Sequence, residues 1–326
     1  MKSVFRSIVV RADQWAGRVA LEFGAERPAL LVFLFHALFR DAKEISLDHV
    51  NPQQGVTVEH FSTFVDYFLE HGYSFVGPDE VLSGLDPTRK YALITFDDGY
   101  FNNTLALPVL AKYRVPAVFY VSTNHVLQQK CYWWDVVYRE RRRRGQPMAT
   151  VRREIHDLSG GTHVEIERYL HDTFGPTAKD PISDIDRPLR EHEFVEFARQ
   201  PYVVIGNHTT DHGLLPNYSA EGVRQQISEA QEVYARLLGQ RPNSIAYPAG
   251  RYNQQVVEIA HEEGLQLGIT VDLHKNYLPE CLDGLNALRL GRFLLYGNER
   301  LLRQCETCRS ELHLYDRLRR LGRNRR

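Results

Sequence analysis

Short, nearly uninterrupted apolar runs alternate along the chain with segments whose apolar residues recur at helical spacing. In one such segment Phe61, Phe64, Val65 and Phe68 fall on one helical face. Continuous apolar runs are typical of strands buried on both faces of a parallel sheet, and repeated strand–helix alternation predicts a parallel sheet or barrel. The predicted strands lie at residues 30–35, 74–76, 91–96, 115–121, 202–206, 244–248 and 267–271, with a closing strand that begins within residues 289–293.

This alternation defines the expected domain organisation. Residues 1–27 are predicted to form a polar, helical lead-in, and residues 28–300 a single α/β unit in which no linker is visible. From about residue 128 to 200, charged positions replace the strand–helix rhythm, which indicates a helical insertion. Residues 301–326 are predicted to be a basic C-terminal tail.

Charge is distributed unevenly along the chain. The formal net charge is -1, but the segment from Arg289 to the end carries 11 arginines and only 4 acidic residues. Such a tail predicts peripheral contact with anionic lipid headgroups, although a basic end without any partner accounts for it equally well. The acidic remainder and the lack of a recognisable nucleic-acid module argue against a nucleic-acid partner.

The N-terminal residues and the cysteines indicate a compartment. Arg6, Arg11 and Asp13 interrupt any apolar run that could serve as a secretory signal, and four cysteines in 326 residues are few. We therefore expect a reduced, cytoplasmic protein. Cys305 and Cys308 are interpreted as two unpaired thiols rather than zinc ligands, because no second cysteine pair accompanies them.

Ionisable residues follow two of the predicted strands at their carboxyl ends, where barrel enzymes carry catalytic groups. Asp97 and Asp98 come directly after one strand, and His208 and His212 follow another. Adjacent buried carboxylates are costly unless a cation compensates their charge, and two imidazoles four residues apart share one face of a helical turn. One aspartate and two histidines give three ligands and an open position, as in catalytic zinc sites.

Each motif has an ordinary alternative when it is taken alone. Asp-Asp-Gly commonly forms a turn, and two histidines at this spacing commonly lie at a surface. Their joint position at strand ends of one β–α chain favours the metal site. The second aspartate is then free to act as a base beside water that the metal activates.

Residues 95–99, Thr-Phe-Asp-Asp-Gly, and residues 208–212, His-Thr-Thr-Asp-His, resemble the first two motifs of the polysaccharide deacetylase family, also known as NodB-homology or carbohydrate esterase family four. Residues 246–251, Ala-Tyr-Pro-Ala-Gly-Arg, resemble the third motif. The resemblance extends from about residue 30 to residue 293, apart from the insertion. It implies a distorted (β/α) barrel and a metal-dependent N-deacetylase.

The resemblance also implies roles for individual residues. Asp97 corresponds to the general base, and the metal ligands correspond to Asp98, His208 and His212. The ion is expected to be Zn²⁺, with Co²⁺, Ni²⁺ and Mn²⁺ as alternatives. The backbone N–H of Ala249 is expected to hold the oxyanion. The other third-motif residues assigned to the substrate site are Tyr247, Pro248 and Gly250.

The chain departs from the common family pattern at two places. Ala246 stands where the third motif usually begins with an arginine that orients the base, and we expect Arg292 to take that role. A late Leu-x-His motif, the usual source of the general acid, is not found. His36 at the end of the first strand resembles the acid of members with an N-terminal Tyr-His motif, and a core histidine satisfied by the backbone is the alternative.

Trp133 and Trp134 lie at the start of the insertion. An indole face suits the C–H surface of a sugar ring, so both are candidates for sugar stacking. The alternative, which the sequence favours slightly, is that they anchor the insertion to the barrel.

We therefore predict a hydrolase that removes an N-acetyl group from an amino sugar in a glycan or glycan precursor of cell-surface polysaccharide biosynthesis. One alternative is another amide hydrolase on the same barrel, such as a deformylase or a cyclic-ureide amidohydrolase. A second alternative is a catalytically inactive glycan-binding homologue, which the presence of Asp97 beside all three ligands disfavours.

Overall fold

The computed structural model describes residues 17–19, 21–22, 24, 26–298 and 300–311 of the chain. Most of the predicted lead-in and the tail arginines beyond residue 311 lie outside the described residues, and so does the predicted lipid contact. Within the lead-in, residues 17–19 and 21–22 are helical. None of the helices in this described part is both long and apolar enough to span a bilayer.

The strands form two parallel sheets. They are β1 (Leu30–Phe35), β2 (Leu38–Phe39), β3 (Val56–Thr57), β4 (Ser74–Phe75), β5 (Tyr91–Phe96), β6 (Ala117–Val121), β7 (Val203–Asn207), β8 (Ser244–Ala246), β9 (Leu267–Ile269) and β10 (Phe293–Leu294). The main sheet has eight strands in the order β10-β1-β5-β6-β7-β8-β9, with β4 beside β5. Strands β2 and β3 form the second sheet.

The central strands are buried on both faces, as their apolar composition predicts. In β1, Leu31, Phe33 and Phe35 join a core cluster that contains the phenylalanines of the helix Val58–Glu70. The intervening residues Leu30 and Val32 join a second cluster, which is built mainly from residues of other strands. A strand between two apolar layers gains burial from every residue, and this explains why six consecutive apolar residues form one strand here.

The main sheet curls until one segment contacts both of its edges. Leu290 bridges to Ile269 in β9, and three residues later Phe293 pairs with Phe33 in β1. The result is a curled, distorted barrel of parallel strands with helices around it. The predicted α/β fold class is confirmed.

Helices connect successive strands. They are α1 (Ala42–Ile45), α2 (Val58–Glu70), α3 (Pro78–Ser83), α4 (Leu107–Tyr113), α5 (Thr123–Gln128), α6 (Trp133–Arg143), α7 (Met148–Leu158), α8 (His163–Phe174), α9 (Glu191–Ala198), α10 (Ala220–Leu238), α11 (Gln254–Glu262) and α12 (Leu301–Arg309). Short 3₁₀ turns lie at Phe101–Ala106, Leu215–Asn217, Pro248–Gly250, Glu280–Leu282 and Gly284–Arg289. The ends of α10 show how the sequence sets helix boundaries. The Ser219 hydroxyl caps its first turn, and Gly239, with a φ of 75°, ends it.

The structure shows how the predicted insertion and the start of the predicted tail fold. Helices α6 to α9 lie between β6 and β7, where the insertion is predicted. The first residues of the predicted tail differ from the expectation, because 301–309 form α12 and bury Leu301, Cys305 and Cys308 in the main core. This stretch is therefore part of the folded unit. Both cysteines are free thiols.

Candidate functional site

The two aspartates lie where β5 ends and the chain turns out of the sheet. The Asp97 N–H donates to the Phe35 carbonyl at 2.9 Å, which extends the β1–β5 pairing by one residue. Asp98 and Gly99 then adopt left-handed φ angles of 82° and 94°. A Cβ on Gly99 would lie 2.7 Å from a methyl group of Val121, so this turn requires glycine both for its φ and for its space. The turn brings both carboxylates to the carboxyl edge of the sheet.

The second motif is a loop and not the helical turn expected from its spacing. Thr209 and His212 have positive φ angles of 64° and 54°, which a right-handed helix excludes. Hydrogen bonds from side chains hold the loop instead: the Thr209 N–H donates to the Asn207 carboxamide at 2.7 Å, and the Ser122 hydroxyl donates to the His208 carbonyl at 3.0 Å. The loop nevertheless brings both imidazoles together.

Asp98, His208 and His212 form a compact, buried cluster whose potential ligand atoms all lie within 4.8 Å of one another. Asp98 Oδ1 is 3.3 Å from His208 Nε2 and 3.5 Å from His212 Nε2. The other ring nitrogen of His208, Nδ1, lies 2.8 Å from the Ala246 carbonyl, which can only accept. Nδ1 therefore carries the proton in the neutral ring, and the Nε2 lone pair is directed to Asp98.

The polar atoms of this cluster fit a divalent cation. Asp98 Oδ2 and His208 Nε2 are buried and lack hydrogen-bond partners among the described residues. Burial lowers the pKa of His212 well below its ordinary value and keeps that ring neutral. At His208 burial also acts to lower the pKa, but the negative charges of Asp97 and Asp98 outweigh it and raise the pKa. Two imidazoles and one carboxylate are a zinc-type donor set.

Asp97 is held outside that cluster by Arg292. The guanidinium makes a bidentate ion pair with the carboxylate at 2.8 and 2.5 Å, and both side chains are almost completely buried. Burial acts to raise the pKa of Asp97, but the charge and hydrogen bonds of Arg292, together with His208, outweigh it and the pKa is lowered. Arg292 also donates to the Thr95 hydroxyl at 3.1 Å, so its own position is fixed. Asp97 is therefore an ionised, oriented carboxylate.

His36 faces the same site from the end of β1, and Gln54 determines its tautomer. The Gln54 amide nitrogen donates to the carbonyls of Leu34 and Leu295, at 2.5 and 3.1 Å. Its amide oxygen is therefore the acceptor of the 2.8 Å hydrogen bond to His36 Nδ1. With Nδ1 as the donor, Nε2 is the nitrogen of His36 that can exchange a proton with a substrate.

These residues share one cavity of about 610 Å³, which is an ordinary size for a small-ligand site. Among the site predictions, the cavity is lined by His36, Asp97, Asp98, Trp133, Trp134, His212, Ala249 and Arg292. His208 is fully buried behind this wall. Of the four third-motif residues assigned to the substrate site, only Ala249 lines the cavity. The Tyr247 side chain lies in the core, where its hydroxyl donates to the Leu288 carbonyl at 2.9 Å, and Pro248 is also buried.

Both tryptophans belong to the wall and to the core of the insertion. Their side chains are only 8% and 7% exposed, and they pack in one cluster with residues of α6, α7 and α8. The Trp134 ring lies 4.5 Å from the ring of the ligand candidate His212, and its indole N–H donates to the Tyr100 hydroxyl at 3.2 Å. This packing joins the insertion to the loop that carries His208 and His212. It leaves only a small part of the indole surface facing the cavity.

Several residues of the cavity or its support are missing from the sequence predictions, and three of them are polar side chains that bear on its chemistry. Gln54 lies in a short loop without periodicity, and its partners are 18 to 241 residues away along the chain. Arg152 and Arg251 line the cavity as well. Arg251 is the last residue of the third motif, which is a usable signal, whereas Arg152 is one of many arginines in the insertion.

Comparison with known proteins identifies the family. The family model described as polysaccharide deacetylase matches residues 84–268, which is more than half of the chain. The chain belongs to the polysaccharide deacetylase family. Among curated deacetylase relatives, YxkH of Bacillus subtilis (strain 168), assigned to the polysaccharide deacetylases, is 23% identical over 222 residues. The match covers 67% of this chain and 59% of that relative's length.

Solved deacetylase structures share the fold. The Streptococcus pyogenes deacetylase PplD, solved in complex with acetate, matches with a TM-score of 0.58 at 19% identity, over 86% of this chain and 99% of that one. IcaB from Ammonifex degensii matches with a TM-score of 0.57 at 17% identity, over 87% of this chain and 99% of that one. At these identities the comparison establishes the deacetylase fold.

Proposed function

We propose that the protein is a metal-dependent hydrolase that removes the N-acetyl group from an amino sugar in a glycan or glycan precursor. One observation carries the proposal: an ionised carboxylate, a three-ligand cluster and an imidazole with a free Nε2 converge on one cavity. Membership of the polysaccharide deacetylase family supports the substrate class. A role in cell-surface polysaccharide biosynthesis, in the cytoplasm, is part of the same proposal.

Asp98, His208 and His212 would hold the metal ion, and zinc is the ion that suits this donor set best, with Co²⁺, Ni²⁺ and Mn²⁺ as alternatives. A divalent ion bound there would supply Lewis-acid activation of water and of the amide carbonyl. The Ala246 carbonyl keeps the lone pair of His208 Nε2 available for this task.

The other side chains have complementary tasks in amide hydrolysis. Asp97 takes the proton of the attacking water, and Arg292 keeps the carboxylate ionised and fixes its direction. His36 donates a proton from Nε2 to the departing amine, while Gln54 holds its other nitrogen. Proton transfer by positioned groups of this kind contributes roughly 10²–10⁴-fold to rate.

Acetate release from N-acetylglucosamine oligomers tests the proposal. We expect release by the zinc-loaded protein, loss after chelation, and recovery with added Zn²⁺ or Co²⁺. The Asp97→Asn variant should retain zinc binding in calorimetry but lose roughly 10²-fold or more in kcat, whereas Asp98→Asn should lose zinc binding itself.

The same assay separates the alternatives. Release of formate instead of acetate from matched N-formyl and N-acetyl substrates would identify another amide hydrolase. Glycan binding without turnover by zinc-loaded protein, unchanged in Asp97→Asn, would identify a binding protein. Either result contradicts the deacetylase proposal.

A further inference from the structure

One wall of the cavity comes from the insertion and carries positive charge that the proposed chemistry does not use. Arg152, Ile155, His156 and Ser159 lie on helix α7 or directly after it, at spacings that place them on one helical face. All four line the cavity. The adjacent side of this helix packs on the insertion core, where Val151 is buried and Ile155 is partly buried, so the helix is fixed in orientation.

The barrel contributes a second arginine to the same rim. Arg251, the last residue of the third motif, lines the cavity and donates from Nη2 to the Ser159 hydroxyl at 3.0 Å. This hydrogen bond joins the third-motif loop to the end of α7. It therefore holds the Arg251 guanidinium at the place where barrel and insertion meet.

The rim has no carboxylates of its own among the described residues. The acidic residues that line the cavity are Asp97 and Asp98, and both already have other partners: Asp97 pairs with Arg292, and Asp98 belongs to the ligand cluster. Arg152 and Arg251 are exposed and form no ion pair in the described part of the chain. Other arginines of the insertion are paired, such as Arg141 with Glu154 at 2.7 Å.

We propose that Arg152 and Arg251 bind an anionic group of the substrate. The natural substrate is then an N-acetylated sugar that carries a phosphate or a carboxylate next to the acetylated ring. This inference rests on the proposed deacetylase function and names its substrate class. A guanidinium presents a planar fork of N–H donors that matches both anions, and two such forks on opposite elements define the direction from which the sugar enters.

Phosphate and carboxylate share this chemistry but come from different sources. A phosphate would belong to the link between the sugar and a carrier, and a carboxylate to a neighbouring uronic acid. Calorimetric titration of the full-length, zinc-loaded protein with three probes distinguishes them: N-acetylglucosamine 1-phosphate, a disaccharide of N-acetylglucosamine and glucuronic acid, and neutral di-N-acetylchitobiose.

We expect wild-type protein to bind at least one anionic probe more tightly than the neutral probe. The ratio of anionic to neutral affinity should fall about tenfold in Arg152→Ala and in Arg251→Ala, and Arg251→Lys should retain part of it. The ligand cluster is unchanged in these variants, so any phosphate contact with zinc contributes equally to each. Added salt should weaken binding of the anionic probe more than binding of the neutral one.

Arg153→Ala is the matched control. Arg153 is the exposed neighbour of Arg152 on the same helix and does not line the cavity, so its removal changes the net charge equally and should leave the ratio unchanged. Equal losses for anionic and neutral probes, or an effect of Arg153→Ala as large as that of Arg152→Ala, overturns the inference. These experiments measure binding and not turnover. A protein that binds the probes as expected but releases no acetate would therefore contradict only the deacetylase proposal.

Discussion

The chemistry of the candidate site depends on which nitrogen of each histidine faces the cavity. At His208 a backbone carbonyl decides, because an oxygen that can only accept fixes the proton on Nδ1. At His36 the tautomer is set by Gln54. Both N–H donors of the Gln54 amide are used by carbonyls, so its oxygen accepts from His36 Nδ1. Each arrangement frees Nε2. Two unrelated hydrogen bonds thus suit one histidine to the proposed role of metal ligand and the other to the proposed role of proton donor.

Replacing Gln54 by methionine tests this positioning role. Gln54→Met keeps the length of the side chain but removes all three hydrogen bonds, so His36 is no longer held by Nδ1. We expect kcat for acetate release to fall about tenfold or more with a smaller change in KM, because a misplaced proton donor affects the transition state more than binding.

A double-mutant cycle with His36→Ala provides the control. If Gln54 acts through His36, Gln54→Met should change kcat little once His36 is absent. Two orphaned carbonyls also predict a loss of stability, about 1–3 kcal/mol for a buried unsatisfied group, which thermal unfolding measures independently. Full additivity of the two effects on kcat would contradict the positioning role.

Sequence reasoning located the residues that stand beside strand ends but not those that support them. Asp97 and Asp98 are adjacent to a recognisable strand, so their place at the sheet edge follows from the pattern. Arg292 was expected near Asp97 from the last strand, and the structure shows the bidentate pair. Gln54 could not be predicted, because its three partners are brought to it only by the folded barrel.

At the scale of elements, the site is built on turns with unusual backbone conformations. Non-glycine residues with positive φ include Asp98, Thr209, His212 and Ala249, and these lie at the ends of three different strands. Such conformations cost roughly 1–3 kcal/mol each and persist only where neighbouring contacts enforce them. The prediction of a helical turn at His208 to His212 was wrong for this reason: residue spacing says nothing about φ, and side-chain hydrogen bonds determine the loop.

Gly99→Ala tests how strongly the turn after β5 requires glycine at this position. The new methyl group would meet Val121 at 2.7 Å in a backbone with a φ of 94°. We expect a loss of about 2–4 kcal/mol in the free energy of unfolding, the sum of left-handed strain and local overpacking. Gly145→Ala is the control, because Gly145 has a φ of 68° but open space around it. It should cost only about 1 kcal/mol.

Denaturant unfolding of both variants measures this difference. Because Gly99 directly follows Asp98, the strained variant should also bind zinc more weakly in calorimetry, while Gly145→Ala should bind it as the wild type does. Equal stability losses in the two variants would mean that the contact with Val121 relaxes at no cost.

At the scale of the whole molecule, the two ends of the described chain close on each other. Helix α12 packs into the core, and Arg309 donates to both oxygens of Glu26, at 2.9 and 2.8 Å, across 283 residues of sequence. The Tyr73 hydroxyl donates to the same carboxylate at 2.5 Å. The sequence pattern does not predict this contact between the two ends, because an arginine-rich C-terminal segment is typical of a solvated tail.

The Glu26 carboxylate makes this closure dependent on pH. Burial acts to raise its pKa, but the hydrogen bonds from Arg309 and Tyr73 outweigh burial and lower the pKa to about 2. A depressed carboxylate pKa stabilises the fold above the pKa of the unfolded chain, and that contribution is lost as the pH falls through the folded value. The network should therefore contribute fully at neutral pH and progressively less between about pH 4.5 and pH 2.

Glu26→Gln is expected to lower the free energy of unfolding by about 1–2 kcal/mol at pH 7, allowing for the partial exposure of the network. The difference from wild type should shrink as the pH falls below 4.5, because the unfolded chain then binds a proton at Glu26 that the folded protein, with a pKa of about 2 for this carboxyl, does not yet bind. Denaturant unfolding between pH 7 and pH 3 measures it. Glu22→Gln, which removes the same charge from an exposed position of the same segment, is the control. A Glu26→Gln deficit that stays constant over this range would show that packing, and not the ion pair with Arg309, joins the ends of the chain.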